Sequence, residues 1–189
     1  SISPTLTSES KALVIKKSQP KVGPGDIETF SINFDSRVCG AYGPVEIPMT
    51  FMANPANPDC EPVEVLFRAF VVPDKEALAV RQQGRHPECD LPQEPVQLGT
   101  VSGDKPLKVE FTVANRGKGA LHLLNVSSTV QKIAVGKIPK EIKPGKSARI
   151  RIEVSPENLP EGPYRFPVTV ITDDPDHPHQ VVYICSNKQ

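Results

Sequence analysis

The chain has 189 residues, with 22 Lys and Arg balanced by 22 Asp and Glu. That balance excludes the basic stripe of a nucleic-acid binder and the single-sign field of a membrane-surface protein. Trp is absent, and 21 residues are Pro, so long helices are disfavoured and short strands joined by rigid turns are expected.

In chain order, the first strand candidates are residues 11–17, 29–35, 45–53 and 62–72. Residues 73–95 are polar and Pro-rich; 76–81 suits one helical turn or a short strand, and the whole segment reads as a linker. Seven short runs follow: Val96–Val101, Leu107–Asn115, Leu121–Ser127, Ile133–Val135, 148–155, 164–173 and 180–186. Their number and spacing suit a sandwich. Alternation is clearest over 108–113 and 149–154, where Ile150, Ile152 and Val154 are expected to face a core, and Arg149, Arg151 and Glu153 water. Asn115-Arg116-Gly117-Lys118-Gly119, Lys143-Pro144-Gly145 and Asp174-Pro175-Asp176-His177-Pro178 supply the turn residues between them. The apolar runs, such as 70–72, are far too short to cross a bilayer, so no membrane insertion of this segment is expected. Ser1 is not an initiator Met, so the lack of a visible leader says nothing about compartment.

The pattern occurs twice. Pro24-Gly25 recurs as Pro144-Gly145, and Phe30, Ile32 and Phe34 recur as Ile150, Ile152 and Val154, an offset of 120. Gly43-Pro44 and Pro48 recur as Gly162-Pro163 and Pro167, an offset of 119. Asn54-Pro55 and Pro58 recur as Asp174-Pro175 and Pro178, back at 120. An offset that slips by one and returns marks one domain used twice. On this register Ser1 corresponds to Leu121, so residues 96–120, two strands, have no counterpart in the first copy. The predicted fold class is all-β: an incomplete Ig-like sandwich over 1–73, a linker over 74–95, and a complete Ig-like sandwich over 96–189.

A sheet left open exposes backbone groups and one side of its core, so a cover is expected. The linker folding back is the favoured cover, because it leaves from the correct end and is long for a structureless connection. Residues 1–8, the second domain, the same edge of another chain, which would make a homo-oligomer, or strands supplied from upstream of Ser1 are the alternatives. Pro48 and Pro167 fall inside strand-like runs and are expected on edge strands or at bulges, since a central strand loses a ladder donor there.

Cys39, Cys60, Cys89 and Cys185 show no C-x-x-C and no metal-ligand spacing. Cys39–Cys89 is the one bridge that the hairpin geometry allows, and free thiols are the default. Asp173-Asp174-x-Asp176-His177-x-His179 is dense in potential Zn²⁺ or Ca²⁺ ligands, yet the matching turn Asn54-Pro55-Ala56-Asn57-Pro58-Asp59 keeps the prolines and drops most ligands. Turn geometry is therefore the expected role, and no metal site is predicted. His86 and Cys89 are close in sequence but lack a third group or a nucleophile elbow, so no catalytic residue is predicted. No Gly-rich phosphate loop is present, and no cofactor is expected. Lys137, Lys140, Lys143, Lys146, Arg149 and Arg151 are interrupted by Glu141 and Glu153 and read as a solvated face. Asn125-Val126-Ser127 is a chance sequon.

Leu98-Gly99-Thr100-Val101, Phe111-x-Val113-x-Asn115-x-Gly117, Leu121-x-Leu123, Ile142-x-Pro144-Gly145 and Asp174-Pro175-x-x-Pro178 together form a recognisable series. The series resembles an uncharacterised bacterial Ig-like family found in tandem in exported proteins, related to the abnormal-spindle/hydin and major-sperm-protein domains. Members often carry a cysteine pair just after the third strand, whereas this chain has Ser127-Ser128-Thr129-Val130, so no role of that pair carries over. The resemblance implies export to the periplasm or cell surface of a bacterium and no catalytic activity. The expected function is a structural or adaptor protein that binds a protein or glycan through sandwich loops or edge strands. The alternative is an intracellular adaptor of the abnormal-spindle or major-sperm-protein kind, which the lone cysteines would suit.

Overall fold

The computed structural model describes residues 1–82 and 84–189. It is 49% strand and 6% helix, so the chain is all-β. Two compact units divide it, Ser1–Val71 and Val72–Gln189.

The first unit contains β1 (Thr5–Thr7), β2 (Leu13–Lys17), β3 (Phe30–Phe34), the one-turn helix α1 (Ser36–Cys39), β4 (Gly43–Met52) and β5 (Val63–Val71). They form a sheet of order β1-β4-β5 and a two-stranded sheet β2-β3. The Asp35 carboxylate starts α1 by accepting the Arg37 N–H at 2.9 Å, and Gly40, at φ +66°, ends it in the left-handed region. Strict alternation in β4 buries Val45, Ile47 and Met49, which pack with Ala12, Leu13 and Val71.

The second unit contains α2 (Lys75–Gln82), β6 (Cys89–Asp90), β7 (Val96–Val101), β8 (Leu107–Asn115), β9 (Leu121–Ser127), β10 (Ile133–Val135), β11 (Glu141–Ile142), β12 (Ser147–Val154), β13 (Gly162–Thr172) and β14 (His179–Lys188). Its sheets run β10-β12-β8-β6 and β11-β9-β13-β14-β7, with β7 parallel to β14 and the other pairs antiparallel. Between them lies a core in which Val113, Leu121, Ile150, Ile152, Val168 and Ile184 are fully buried, with Phe111 and Phe166 beside them. Within β12, Ile150, Ile152 and Val154 face this core as the alternation predicts; Arg149 and Arg151 are exposed and Glu153 is half-buried.

The ladders repeat as the sequence does. Leu13 pairs Phe34 and Ile15 pairs Ile32 in the first unit, and Ile133 pairs Val154 and Val135 pairs Ile152 in the second. In the second unit β12 continues into β8 and β14 continues into β7. Among the described residues no strand pairs with the matching edges of β3 and β5. Within residues 1–189 the outer edges of β3 and β5 are thus open where those of β12 and β14 are covered.

Two expectations are corrected. The segment 74–95 is not a bare linker: it holds α2 and β6, and β6 joins the second unit's four-stranded sheet against Asn115 and Ala114. Pro48 and Pro167 are not on edge strands, because β4 lies between β1 and β5, and β13 between β9 and β14. They are tolerated because the flanking strands stop short. β1 pairs only with Thr50–Met52 of β4, and β9 pairs β13 only from Thr169 onward. The N and C=O of a strand residue point the same way, and each proline carbonyl turns to that vacated side. There it accepts a serine hydroxyl, Ser8 Oγ to Pro48 O at 2.9 Å and Ser128 Oγ to Pro167 O at 2.6 Å. The missing N–H thus falls where no ladder bond is made.

Candidate functional site

Two regions of the sequence carry potential chemistry, the Asp173–His179 turn and the 85–89 segment, and the fold brings them together. Asp174 is 1% exposed, and its carboxylate accepts three backbone N–H groups: Cys89 at 2.8 Å, Asp176 at 2.9 Å and His177 at 3.2 Å. Asp173 accepts both the backbone N–H of His122 and its ring Nδ1, each at 2.7 Å. These carboxylates are thus spent on backbone amides and an imidazole, and His177 and His179 lie exposed at the turn. No group of three or more potential metal ligands converges among the described residues.

Around the same turn α2 is anchored. Asp74 caps it through the N–H groups of Glu76 (2.9 Å) and Ala77 (3.3 Å), and Leu78 is buried. Lys75 Nζ donates to Asp176 O at 2.9 Å, and Gln82 Nε2 donates to Asp173 O at 2.7 Å. The following backbone is laid along the β8–β9 turn, with Arg116 N donating to Glu88 O and Lys118 N to His86 O, both at 2.9 Å. Asn115, 1% exposed, is the hub. Its Nδ2 donates to Gly119 O at 2.8 Å and Ile142 O at 2.9 Å, and its Oδ1 accepts from Gly117 N at 3.0 Å and Glu88 N at 3.3 Å. A Cβ at Gly117 or Gly119 would collide with the backbone of residues 85–88, so these glycines mark a close approach rather than an unusual turn conformation.

Cys89 is buried under this lacing. Burial, and after it the Asp174 charge, pushes its thiol up to about 12, which favours the protonated thiol at neutral pH. His86 Nδ1 meets Gln82 Oε1 at 3.3 Å instead. All four cysteines are free.

The first unit differs from the second in how far its matching positions are covered. Phe30, Ile32 and Phe34 of β3 correspond to Ile150, Ile152 and Val154. Through the hairpin register, in which Ile47 pairs Phe67 and Phe166 pairs Ile184, Val65 and Phe67 correspond to Val182 and Ile184. Ile32 is 37% exposed where Ile152 is 0%, and Val65 is 38% exposed where Val182 is 1%. The same positions in the same ladder differ because β7 and β8 close only the second unit. Large side chains partly fill the opening: Phe30 meets Phe51 edge-on at 6.2 Å, and Phe34 meets Phe67 at 5.2 Å.

A family model described as HYDIN/CFA65/VesB-like, Ig-like domain, matches residues 87–185, which is 99 of the 189. The chain belongs to this Ig-like family. The match begins at Pro87, just before Cys89, consistent with β6 being part of the Ig-like fold rather than a connection. Among solved structures, a protein of unknown function from Porphyromonas gingivalis W83 superposes at a TM-score of 0.66 with 15% identity. That superposition covers 99% of this chain and 86% of the other, so the likeness in fold includes the first unit. VesB protease of Vibrio cholerae aligns at a TM-score of 0.38 and 12% identity over 61% of this chain and 34% of its own. The secreted serine protease VesC of the same organism aligns at 0.39 and 11% over 58% and 24%. The chain spans about a third and a quarter of those two proteases, and superpositions this shallow add nothing to the fold assignment. A search of curated proteins finds no match.

Proposed function

We propose that the chain is a non-catalytic, exported structural or adaptor protein that binds a protein or glycan partner through its sandwich loops or edge strands. The observation that carries this reading is the contrast between the units, a closed and heavily laced sandwich and one with open edges on β3 and β5. Sheet edges bind extended chains through backbone hydrogen bonds, which supply affinity with little demand on sequence. Against catalysis stand the use of Asp173 and Asp174 as structural acceptors and the protonated, buried Cys89. No described helix is long and apolar enough to cross a membrane.

Cell fractionation of a bacterium producing the full-length precursor tests the export part, with the mature chain expected in the periplasm or at the surface. Retention in the cytosol would favour the second reading, an intracellular adaptor, which the four free cysteines support. Affinity capture from envelope extract, with a glycan array run in parallel, tests the binding part; a chain that retains neither protein nor glycan is not an adaptor.

A further inference from the structure

We propose that the open edge of β3 takes an antiparallel strand from a partner polypeptide, apolar where it faces Phe30, Ile32 and Phe34 and uncharged where it faces Ser31 and Asn33. The proposal rests on the adaptor reading and names its site and the chemistry of its partner.

Backbone direction comes first. Ser18 N donates to Thr29 O and Asp35 N donates to Ala12 O, so the odd-numbered residues here turn their polar groups to β2 and its flanks. Groups alternate along a strand, so the N–H and C=O of Phe30, Ile32 and Phe34 turn to the other edge. The second unit repeats this, with Gly136 N donating to Arg151 O and Ser155 N to Lys132 O on the β10 side. On the other side of β12, Ile150, Ile152 and Val154 are paired by Phe111, Val109 and Leu107 of β8. The same chain therefore shows what closes this edge: an antiparallel strand with alternate apolar residues.

Charge and volume then separate the first unit's partner from β8. The second unit's ladder carries crossed ion pairs, Arg151 to Glu110 at 2.8 Å and Lys108 to Glu153 at 3.7 Å. At the positions of Arg151 and Glu153 the first unit has Ser31 and Asn33, both exposed, which offer hydrogen bonds and no counter-charge. A strand bearing Ser, Thr or Asn there fits; one bearing Lys and Glu does not find its partners. Phe30 and Phe34 are also larger than Ile150 and Val154, which leaves room for Val or Ala opposite them. A second copy using this edge would set Phe30 against Phe34, more volume than the second unit packs at the same place.

Two nine-residue synthetic peptides test this on the full chain: one copies Leu107–Asn115 with Leu107→Ala and Phe111→Val, the residues that Phe34 and Phe30 leave room for, and the other carries Lys108→Thr and Glu110→Thr in addition. The neutral peptide is expected to slow amide hydrogen exchange at Phe30, Ile32 and Phe34 by about tenfold or more at saturation, leaving Ile150, Ile152 and Val154 unchanged. The charged peptide is expected to bind about threefold more weakly. In the double variant Ser31→Arg, Asn33→Glu, which restores the second unit's charges on an exposed face, the preference reverses. No slowing at the three amides, slowing shared with β12, or an unchanged preference in the double variant would overturn the proposal. So would a dimer, seen by sedimentation, that protects these amides without peptide. A partner that binds while these amides exchange freely would also overturn it, and would leave the adaptor reading standing.

Discussion

The two units use one ladder to reach different degrees of closure. In the second, β7 and β8 seal the sandwich, and Ile150, Val154, Val170 and Ile184, all aliphatic, are at most 1% exposed. In the first, those four positions are Phe30, Phe34, Phe51 and Phe67, all only half-buried. Where strands are missing, side-chain bulk takes over part of their cover, because an aromatic ring shields more area from a single backbone position than an aliphatic branch does. The substitution is partial, as the exposure of Ile32 and Val65 records.

The largest expected effect breaks the symmetry of the pair directly. Ile152→Ala empties a fully buried site and should cost about 2–5 kcal/mol, whereas Ile32→Ala, at the matching but open position, should cost about 1 kcal/mol. Denaturant titration followed separately in each unit, for instance by amide resonances, gives both values. Equal losses would mean that the first unit is closed in solution.

Next in size is the lacing of residues 85–88 onto the second unit. Gly119→Ala drives a Cβ into the Arg85 carbonyl and should destabilise that unit by about 1–3 kcal/mol. Trypsin should then cut after Arg85 at a rate above that of the parent chain, which is held there by the bonds from Lys118 and Gly119 to His86 O. Rapid cleavage of the parent, with both units left whole, would show that the segment is a free connection after all.

That segment is also where the sequence was hardest to read. Period-two alternation in residues 149–154 reports a local property, and the matching residues spaced by 120 are read from residue identity; both survive in a single sequence. That spacing also led to the expectation of an uncovered β3 edge within residues 1–189, and no described strand pairs there. The role of 85–90 was not legible in this way, because a two-residue strand has no period, and Glu88 and Asn115 meet only through tertiary contact. One signal was present in the sequence: the Asp174 turn keeps a carboxylate where the first copy's Asn54 is neutral. The close approach at Gly117 and Gly119 is visible only in the structure, because the sequence reads those glycines equally well as turn residues. The proline expectation failed for a related reason. Strand order is a property of the whole sheet, while the tolerance of Pro48 and Pro167 depends on where β1 and β9 happen to end.

Alkaline pH separates the units through Cys89, which lies in the second. Its thiol is raised to about 12 in the folded chain, against about 8.5 in an unfolded one. Below the lower value both states are protonated and the thiol has no effect. As pH rises above it, only the unfolded chain releases the proton, so stability falls by up to about 1.4 kcal/mol per pH unit until the folded thiol ionises as well. The second unit should therefore weaken between about pH 9 and 12, and Cys89→Ala should flatten that decline. A decline unchanged by the substitution would assign it to other groups.

The smallest expected effect tests the outer face. Arg151 meets Glu110 at 2.8 Å, but their side chains are 63% and 36% exposed, so water screens the pair and two flexible chains must be ordered to make it. Arg151→Ala should change the stability of the second unit by no more than about 0.5 kcal/mol. The first unit already has this arrangement, since Ser31 stands in the same place without a charge. If stability hardly depends on the Arg151–Glu110 pair, its value lies in register: β8 slid by two residues would put Lys108 or Thr112 opposite Arg151 and lose the match. The Arg151→Ala chain should then keep its melting temperature within about 2 °C while refolding more slowly or with a slipped fraction, which amide exchange along β8 would reveal. A loss above about 1.5 kcal/mol would instead mean that the ion pair itself holds β8 to β12, and that a neutral ladder at β3 could hold its own partner only weakly.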